Sequence, residues 1–139
     1  MTSSNANTEP FNTGEHITYR IIGRVENDFD EPVAAEEIRS AESRIILDPT
    51  LAGGLQGLES NQQVIVLFHF HRSHGFELCQ HPKGDKRRQK RGVFALSSPR
   101  RPNPIGLSVV DLVGIKGNIL RMRGLDAING TPVLDIKPA

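Results

Sequence analysis

The stretch VIVLFHFH, residues 64–71, is the strongest strand candidate in the chain and decides how the rest can be arranged. It is apolar on both faces until its histidines, which is typical of a strand at the centre of a sheet. Because side chains alternate along a strand, the odd-numbered residues, ending in His69 and His71, face one way. The even-numbered residues, ending in Phe68 and Phe70, face the other. The sequence therefore predicts a central strand with polar groups at its end.

The segments around this stretch predict further short strands. Runs rich in β-branched or apolar residues lie at 19–25, 43–47, 93–97, 107–115, 119–125 and 133–136. Turn residues at 116–118 and 129–130 separate the last three, a short helix is expected after Pro32, and residues 48–60 are expected to form a glycine-rich loop. Short strands at close spacing predict a mostly β protein, a small antiparallel β-barrel with short helical segments, since closing the sheet removes its edges.

The length of 139 residues suits one domain, which we expect to span residues 17–139. Residues 1–16 are polar and without periodicity, and are predicted to be a disordered tail. No run approaches the roughly 18 apolar residues of a membrane helix, the first residues do not resemble a signal peptide, and Cys79 is the only cysteine. These features favour a cytoplasmic protein without a membrane partner.

Positive charge is concentrated between residues 81 and 101. This segment holds one acid, Asp85, against eight basic residues: Lys83, Lys86, Arg87, Arg88, Lys90, Arg91, Arg100 and Arg101. The whole chain has a net charge of only +1, so the remainder is acidic. Such a cluster is either a solvated loop or a surface that binds an anion such as nucleic acid.

The same segment runs into a stiff loop, RGVFALSSPRRPNPIG, residues 91–106. Its three prolines, at 99, 102 and 104, fix φ and exclude helix. Asn103 lies between two of them, so its side chain is presented in one direction. The loop is either a surface turn or a functional loop, and the nearby arginines raise the weight of the second interpretation.

The sequence bears on three other kinds of site. His69, His71, His74, Cys79 and His81 could form a metal site, although no fixed ligand spacing is present and an anion site or packing is equally compatible. The phosphate-binding patterns GxGxxG and GxxxxGK[ST] are absent, so a Rossmann or P-loop site is not indicated. Asp126 either caps the turn at 129–130 or accepts hydrogen bonds from a bound ribose, and spacing alone does not choose.

The motifs GVFALSSPRRPNPIGLSVVDLVGI (92–115) and GLDAINGTPVLDIKP (124–138) resemble those of the TrmO family, also called YaeB or TsaA-like. IIGRVENDF, GLQGLES, VIVLFHFHRS and FELCQHPKGD follow in family order, so the resemblance covers about residues 19–138. It implies a non-Rossmann β-barrel methyltransferase that uses S-adenosylmethionine to methylate N6 of threonylcarbamoyladenosine beside the tRNA anticodon. It further implies a homodimer with the cofactor near the interface, in the short form that lacks an extra C-terminal domain.

Carried over by motif, the cofactor-binding residues would be His71, Arg72, Ser97, Leu107, Leu125, Asp126, Ala127, Ile128 and Asn129. The surface for the tRNA anticodon stem-loop would be Lys86, Arg87, Arg88, Lys90, Arg91, Arg100 and Arg101, since lysine and arginine contacts to phosphate supply much of nucleic-acid affinity. Asn103 is the predicted catalytic group, as an acceptor for the protons of the exocyclic amine, and no metal is expected.

The chain departs from the family pattern at four places. Ser97 replaces an arginine, Asn129 an aspartate and Gln63 a histidine, and the family's PRQ segment is not recognisable between Pro32 and Ser43. If the family's arginine and aspartate meet, Ser97 and Asn129 would form a neutral pair. An S-adenosylmethionine-binding module, or a methyltransferase with a substrate other than tRNA, is therefore an alternative, and a metal enzyme is a more distant one.

Overall fold

A computed structural model of the protein describes residues 8–11 and 14–139. Its eight strands are β1 (Gly23–Glu26), β2 (Glu42–Leu47), β3 (Gln63–His69), β4 (Cys79–Gln80), β5 (Arg91–Gly92), β6 (Ile105–Lys116), β7 (Ile119–Arg123) and β8 (Pro132–Pro138). Six of them close into an antiparallel barrel in the order β1-β2-β7-β6-β3-β8, and β4 pairs with β5 as a separate ribbon. One α-helix, α1 (Ala35–Ser40), and three 3-10 turns complete the structure. The predicted small antiparallel barrel with short helical segments is confirmed.

The strand β3 has the central position that its sequence predicts. It pairs with β6 over seven residues and with β8 on its other side. Val64, Val66 and Phe68 are at most 2% exposed and point into the barrel, while Ile65 and Leu67 are half-buried on the outside. The other strands fill the interior in the same alternating way, with Ile45, Val110, Leu120 and Met122 wholly buried. The core is therefore the inside of the barrel.

Several predicted boundaries need correction. The first strand starts at Gly23 and not at residue 19. The predicted loop 48–60 contains a 3-10 turn at Pro49–Leu55, because Asp48 caps it by accepting a hydrogen bond from the Thr50 amide at 3.0 Å. The predicted strand at 93–97 is wrong. Val93–Ala95 form a 3-10 turn closed by a bond from the Leu96 amide to the Val93 carbonyl, and only residues 91–92 are extended in the ribbon.

The helix predicted after Pro32 is confirmed at Ala35–Ser40. The predicted disorder of residues 1–16 remains a prediction, because residues 1–7 and 12–13 lie outside the described part, and residues 8–11 and 14–16 form no helix or strand. Within residues 8–11 and 14–139, no helix is both long enough and apolar enough to span a membrane.

The outer surface of the barrel has two different sides. On β2 and β7 the outward residues include ion-paired groups: Arg44 pairs with Glu26, and Arg121 lies 3.7 Å from Glu42. On β6 they are apolar, since Ile105, Leu107 and Val109 are 43%, 60% and 49% exposed. The half-buried Ile65 and Leu67 of β3 stand opposite Val109 and Leu107, so the apolar side extends over two strands. We call this set of five residues the apolar face.

Candidate functional site: two adjoining cavities at one end of the barrel

Two cavities lie beside the C-terminal end of β3. The first, of about 560 Å³, is lined by α1, the end of β3 and the segment 126–128, and we call it the aromatic cavity. The second, of about 950 Å³, is lined by residues 80–91 and the loop 95–100, and we call it the cationic cavity. Four residues line both: Ser97, Pro99, Arg100 and Asp126. The two cavities therefore share a wall.

Phe68 and Phe70 give the aromatic cavity its floor. Their rings meet edge to face, with centroids 5.3 Å apart and planes at 79°. They can do so because β6 has a glycine beside them: a Cβ on Gly106 would lie 2.4 Å from the Phe68 ring and 2.8 Å from the Phe70 ring. The buried Ile38 of α1 supplies an apolar wall, so the cavity offers aromatic and aliphatic surface next to polar groups. This mixture is typical of sites for small organic ligands.

His71 adds a neutral polar group to the same cavity. Partial burial lowers its pKa below the ordinary 6.5, and the neighbouring charges of His69, Arg72 and Arg24 lower the pKa further. The imidazole is therefore uncharged at neutral pH. An uncharged ring can hydrogen-bond a ligand without repelling a ligand that carries positive charge.

Arg72 holds the mouth of the aromatic cavity together. Its guanidinium donates to the Asp30 carbonyl at 2.8 Å and lies 3.1 Å from the Glu31 carboxylate, which ties the turn before α1 to the end of β3. Asn129 anchors the same turn from the other side, accepting from the Asn27 amide at 3.2 Å and donating to Asp30 at 3.1 Å. Both side chains are thus engaged within the protein, and their effect on a ligand is through the shape of the cavity.

The cationic cavity is lined by Lys83, Lys86, Arg88, Lys90, Arg91 and Arg100. Only Arg100 among them uses its side chain within the described part of the chain, where it pairs with Glu77 at 3.2 Å. The other five cations form no hydrogen bond or ion pair there through their side chains. Such unpaired cations around one concavity attract polyanions.

The two remaining predicted cations are used in other ways. Arg87 folds back on Asp85 with bonds of 3.0 and 3.1 Å, which lower the pKa of that carboxyl below its ordinary value. Arg101 donates to the main-chain carbonyls of Leu96 and Ser98 at 2.9 and 3.2 Å. Arg101 thus holds the proline loop in shape, a role that charge alone did not indicate.

The predicted site residues divide into those that the structure brings together and those that it does not. The aromatic cavity contains His71, Arg72, Ser97, Asp126, Ala127 and Ile128. Leu125 is wholly buried in the core and Asn129 lines neither cavity. Ser97 and Asn129 share no hydrogen bond, so they are not the neutral pair considered above. Asn103 and Leu107 are exposed and line neither cavity within one chain.

Sequence reasoning missed part of the cavity lining. The aromatic cavity is also lined by Phe68, Phe70 and Ile38. Pro32 and Val33 line it too, although the PRQ motif of the family is not recognisable in the segment that follows Pro32. The alternation of residues 64–71 could have indicated Phe70, because it continues the buried face beyond the strand end.

As for the metal alternative, no group of three or more His, Cys, Asp or Glu side chains in residues 8–11 and 14–139 is placed to hold an ion.

Fold and site together define a small β-barrel domain in which a cavity of aromatic and polar residues adjoins a cavity lined by cations. The model of the tRNA-methyltransferase O N-terminal domain family matches residues 21–139, and the chain belongs to this family. Among its relatives, a probable S-adenosyl-L-methionine-binding protein of Pyrococcus abyssi is 43% identical over 88% of this chain and 67% of that protein. The human tRNA (adenine(37)-N6)-methyltransferase is 44% identical over 60% of this chain and 19% of that protein.

A solved structure gives the same result. The crystal structure of TrmO from Pseudomonas aeruginosa aligns with a TM-score of 0.71 and 33% identity, covering 90% of this chain and 56% of that one. The chain therefore spans little more than half the length of the solved relative. The family and fold expected from the sequence motifs are confirmed.

Proposed function

We propose that this protein uses S-adenosylmethionine to methylate N6 of an adenine in tRNA. The observation that supports this most directly is the wall shared by the two cavities, since a methyl donor in one and an RNA base in the other would meet at Ser97, Pro99, Arg100 and Asp126. The printed activity of the human relative, a tRNA (adenine(37)-N6)-methyltransferase, agrees with this assignment. A cytoplasmic location belongs to the same proposal.

The aromatic cavity fits S-adenosylmethionine in size and chemistry. Its volume of about 560 Å³ lies within the usual range for small-ligand sites. The Phe68 and Phe70 rings offer an apolar surface for the adenine, and the uncharged His71 does not repel a sulfonium. Ala127 and Ile128 complete the lining with Asp126, as the cofactor-binding prediction requires. When bound, S-adenosylmethionine supplies an electrophilic methyl group.

The cationic cavity is proposed to bind the tRNA anticodon stem-loop. Lys86, Arg88, Lys90 and Arg91 are free to contact phosphates, whereas Arg87 and Arg101 already have partners within the chain. Phosphate contacts of this kind would position the RNA, and loop bases turned out of the stack would supply specificity. The modified base expected from the family resemblance, threonylcarbamoyladenosine, is part of the proposal.

A homodimer formed through the apolar face would complete the site. Leu107 is predicted to lie at the cofactor, and Asn103 at the reacting base. Neither residue lines a cavity of its own chain, so each could reach a cavity only from a second copy of the protein. Leu107 is 60% exposed at the centre of the apolar face, which a soluble monomer rarely shows at this extent. The Leu107→Asp variant should therefore sediment as a monomer and bind S-adenosylmethionine more weakly. An unchanged dimer would place the interface elsewhere, and a wild-type monomer would end this part of the proposal.

Calorimetry with S-adenosylmethionine, followed by transfer of labelled methyl groups to total tRNA, tests the assignment. The proposed function requires both binding and transfer, and transfer only to tRNA that carries threonylcarbamoyladenosine would establish the modified base. Binding without transfer would support the alternative of a cofactor-binding module, which the printed name of the Pyrococcus relative also allows. Absence of binding would refute both.

A further inference from the structure

Asp126 occupies a distinctive position among the acidic residues of the site. Among residues 8–11 and 14–139, two acids line the cavities: Glu77 in the cationic cavity, and Asp126 in both. Glu77 is neutralised by Arg100 at 3.2 Å. The Asp126 carboxylate, by contrast, forms no hydrogen bond or ion pair with any residue of the described chain. It is therefore the available acceptor at the place where the two cavities meet.

The packing of the neighbouring residues positions this carboxylate. Leu125 is 0% exposed in the core, Ala127 is 5% exposed and lines the aromatic cavity, and Asp126 between them lines both cavities. Its amide donates to the hydroxyl of Ser108 at 3.2 Å, which ties the segment to the buried face of β6. The main chain that carries the carboxylate is thus anchored before any ligand binds, which favours a catalytic role.

The cation that shares both cavities with Asp126 does not pair with it. Arg100 lines the same two cavities, yet its guanidinium is directed to Glu77, and its carbonyl accepts from the Gln80 side chain at 2.6 Å. The residue is therefore held on the side of the β4–β5 ribbon. Asp126 keeps its full capacity to accept hydrogen bonds, and an amine is the donor that a nucleobase would present there.

We infer that Asp126 is a catalytic residue that accepts a proton from the exocyclic amine of the target adenine. This rests on the proposed function and replaces Asn103 in that role. The amine nitrogen forms the new bond to the methyl carbon, and the methyl–sulfur bond breaks with its electron pair passing to sulfur. The N–H proton passes to an Asp126 oxygen and from there to water. An amine conjugated with a purine ring is a weak nucleophile, so an acceptor aligned with its protons lowers the barrier.

The test compares Asp126→Asn with wild type and with Glu59→Gln, a matched control in which an exposed carboxylate outside both cavities is neutralised. Asparagine keeps the size of the side chain. We expect kcat to fall by about 100-fold or more, the usual contribution of a positioned base, and to fall by a larger factor than the calorimetric affinities for S-adenosylmethionine and tRNA. Glu59→Gln should retain wild-type kcat.

A second variant separates a chemical role from a structural one. Asp126→Ala leaves space for a small carboxylate that can enter through the cationic cavity, so added formate should restore part of the lost rate. Weaker cofactor binding by Asp126→Asn with kcat retained would show that the carboxylate only holds the cofactor, and would overturn the inference. So would rates that formate does not change. An inactive wild-type protein would refute the proposed function and, with it, this role.

Discussion

Neutralising the free cations of the cationic cavity is the most direct test of RNA binding. The change is a quadruple variant in which Lys86, Arg88, Lys90 and Arg91 become glutamine. All four line the cavity, and none uses its side chain for an ion pair within the described chain, so the variant removes charge without breaking internal contacts. We expect the fold and the affinity for S-adenosylmethionine to be unchanged.

The size of the effect follows from counterion release. Each phosphate contact adds about 0.7 to 0.9 to the slope of log K against log salt. If each side chain contacts one phosphate, the slope should become shallower by about 3. Between about 50 and 200 mM salt the wild-type protein should then lose roughly 60-fold more affinity than the variant. Fluorescence anisotropy with a labelled anticodon stem-loop, measured across that range, gives both slopes.

A control with the same change in net charge shows whether position matters. Arg44, Lys116, Arg121 and Arg123 lie on β2, β6 and β7, and none of them lines either cavity. Their replacement by glutamine should leave the salt slope near that of the wild type. Equal losses in the two quadruple variants would mean that RNA responds to net charge alone, and the assignment of the cationic cavity would be refuted.

Two further perturbations test the aromatic cavity. Gly106→Ala should lower the free energy of unfolding by about 1–3 kcal/mol in urea denaturation, because the new Cβ would overlap the Phe68 ring. The control Gly53→Ala should have little effect, since nothing lies within 4 Å of a Cβ at that position. Equal stabilities of the two variants would show that the rings of Phe68 and Phe70 can move aside. The pKa of His71 is below 6.5 in the folded protein, so the unfolded chain binds more protons than the folded chain as the pH falls through and below that value. Both the free energy of unfolding and the affinity for S-adenosylmethionine should therefore decrease as the pH falls in this range. The His71→Asn variant should lack this part of the pH dependence in parallel thermal melts and binding titrations.

Local pattern was sufficient to predict the barrel but not every boundary. The predicted alternation is confirmed for residues 64–69, because burial on one face of a closed sheet leaves few other registers. The strand ends at His69 and not at His71, and His71 lines the same cavity as Phe68 and Phe70. The apolar run at 93–97 has the same composition as a strand, yet a turn there buries Val93 to 1% exposure and closes through the Leu96 amide. The apolar composition of a segment indicates that its side chains gain free energy when they are buried. It does not indicate whether a strand or a turn buries them.

The sequence predicted the site residues well where a motif determines the path of the main chain. It predicted them less well where the role of a residue depends on which side chain or carbonyl it contacts. Of the motif residues 125–129, Asp126, Ala127 and Ile128 line the aromatic cavity, whereas Leu125 is in the core and Asn129 lines neither cavity. Arg101 donates to main-chain carbonyls, whereas Arg100 pairs with Glu77. Two adjacent arginines look alike in the sequence, so the difference between their partners could not be predicted from it. For the same reason the sequence could not show that Asp126 lacks a partner.

Under the proposed function, the shared wall would have to keep its shape when a polyanion enters one cavity and a cofactor the other, and the loop that forms this wall is held by several internal hydrogen bonds. The Ser73 hydroxyl donates to the Pro99 carbonyl at 2.9 Å and the Gln80 side chain donates to the Arg100 carbonyl at 2.6 Å, so the segment after β3 and the β4–β5 ribbon both hold the loop. Arg101 closes it from within, and its prolines fix φ at three positions. Little conformational entropy is then left to lose on binding, so binding free energy can be used for aligning the amine with the methyl group. A flexible loop with the same charges would lose more conformational entropy on binding RNA and would not keep the reacting atoms aligned, which is a physical reason for a proline-rich, internally bonded segment between the two cavities.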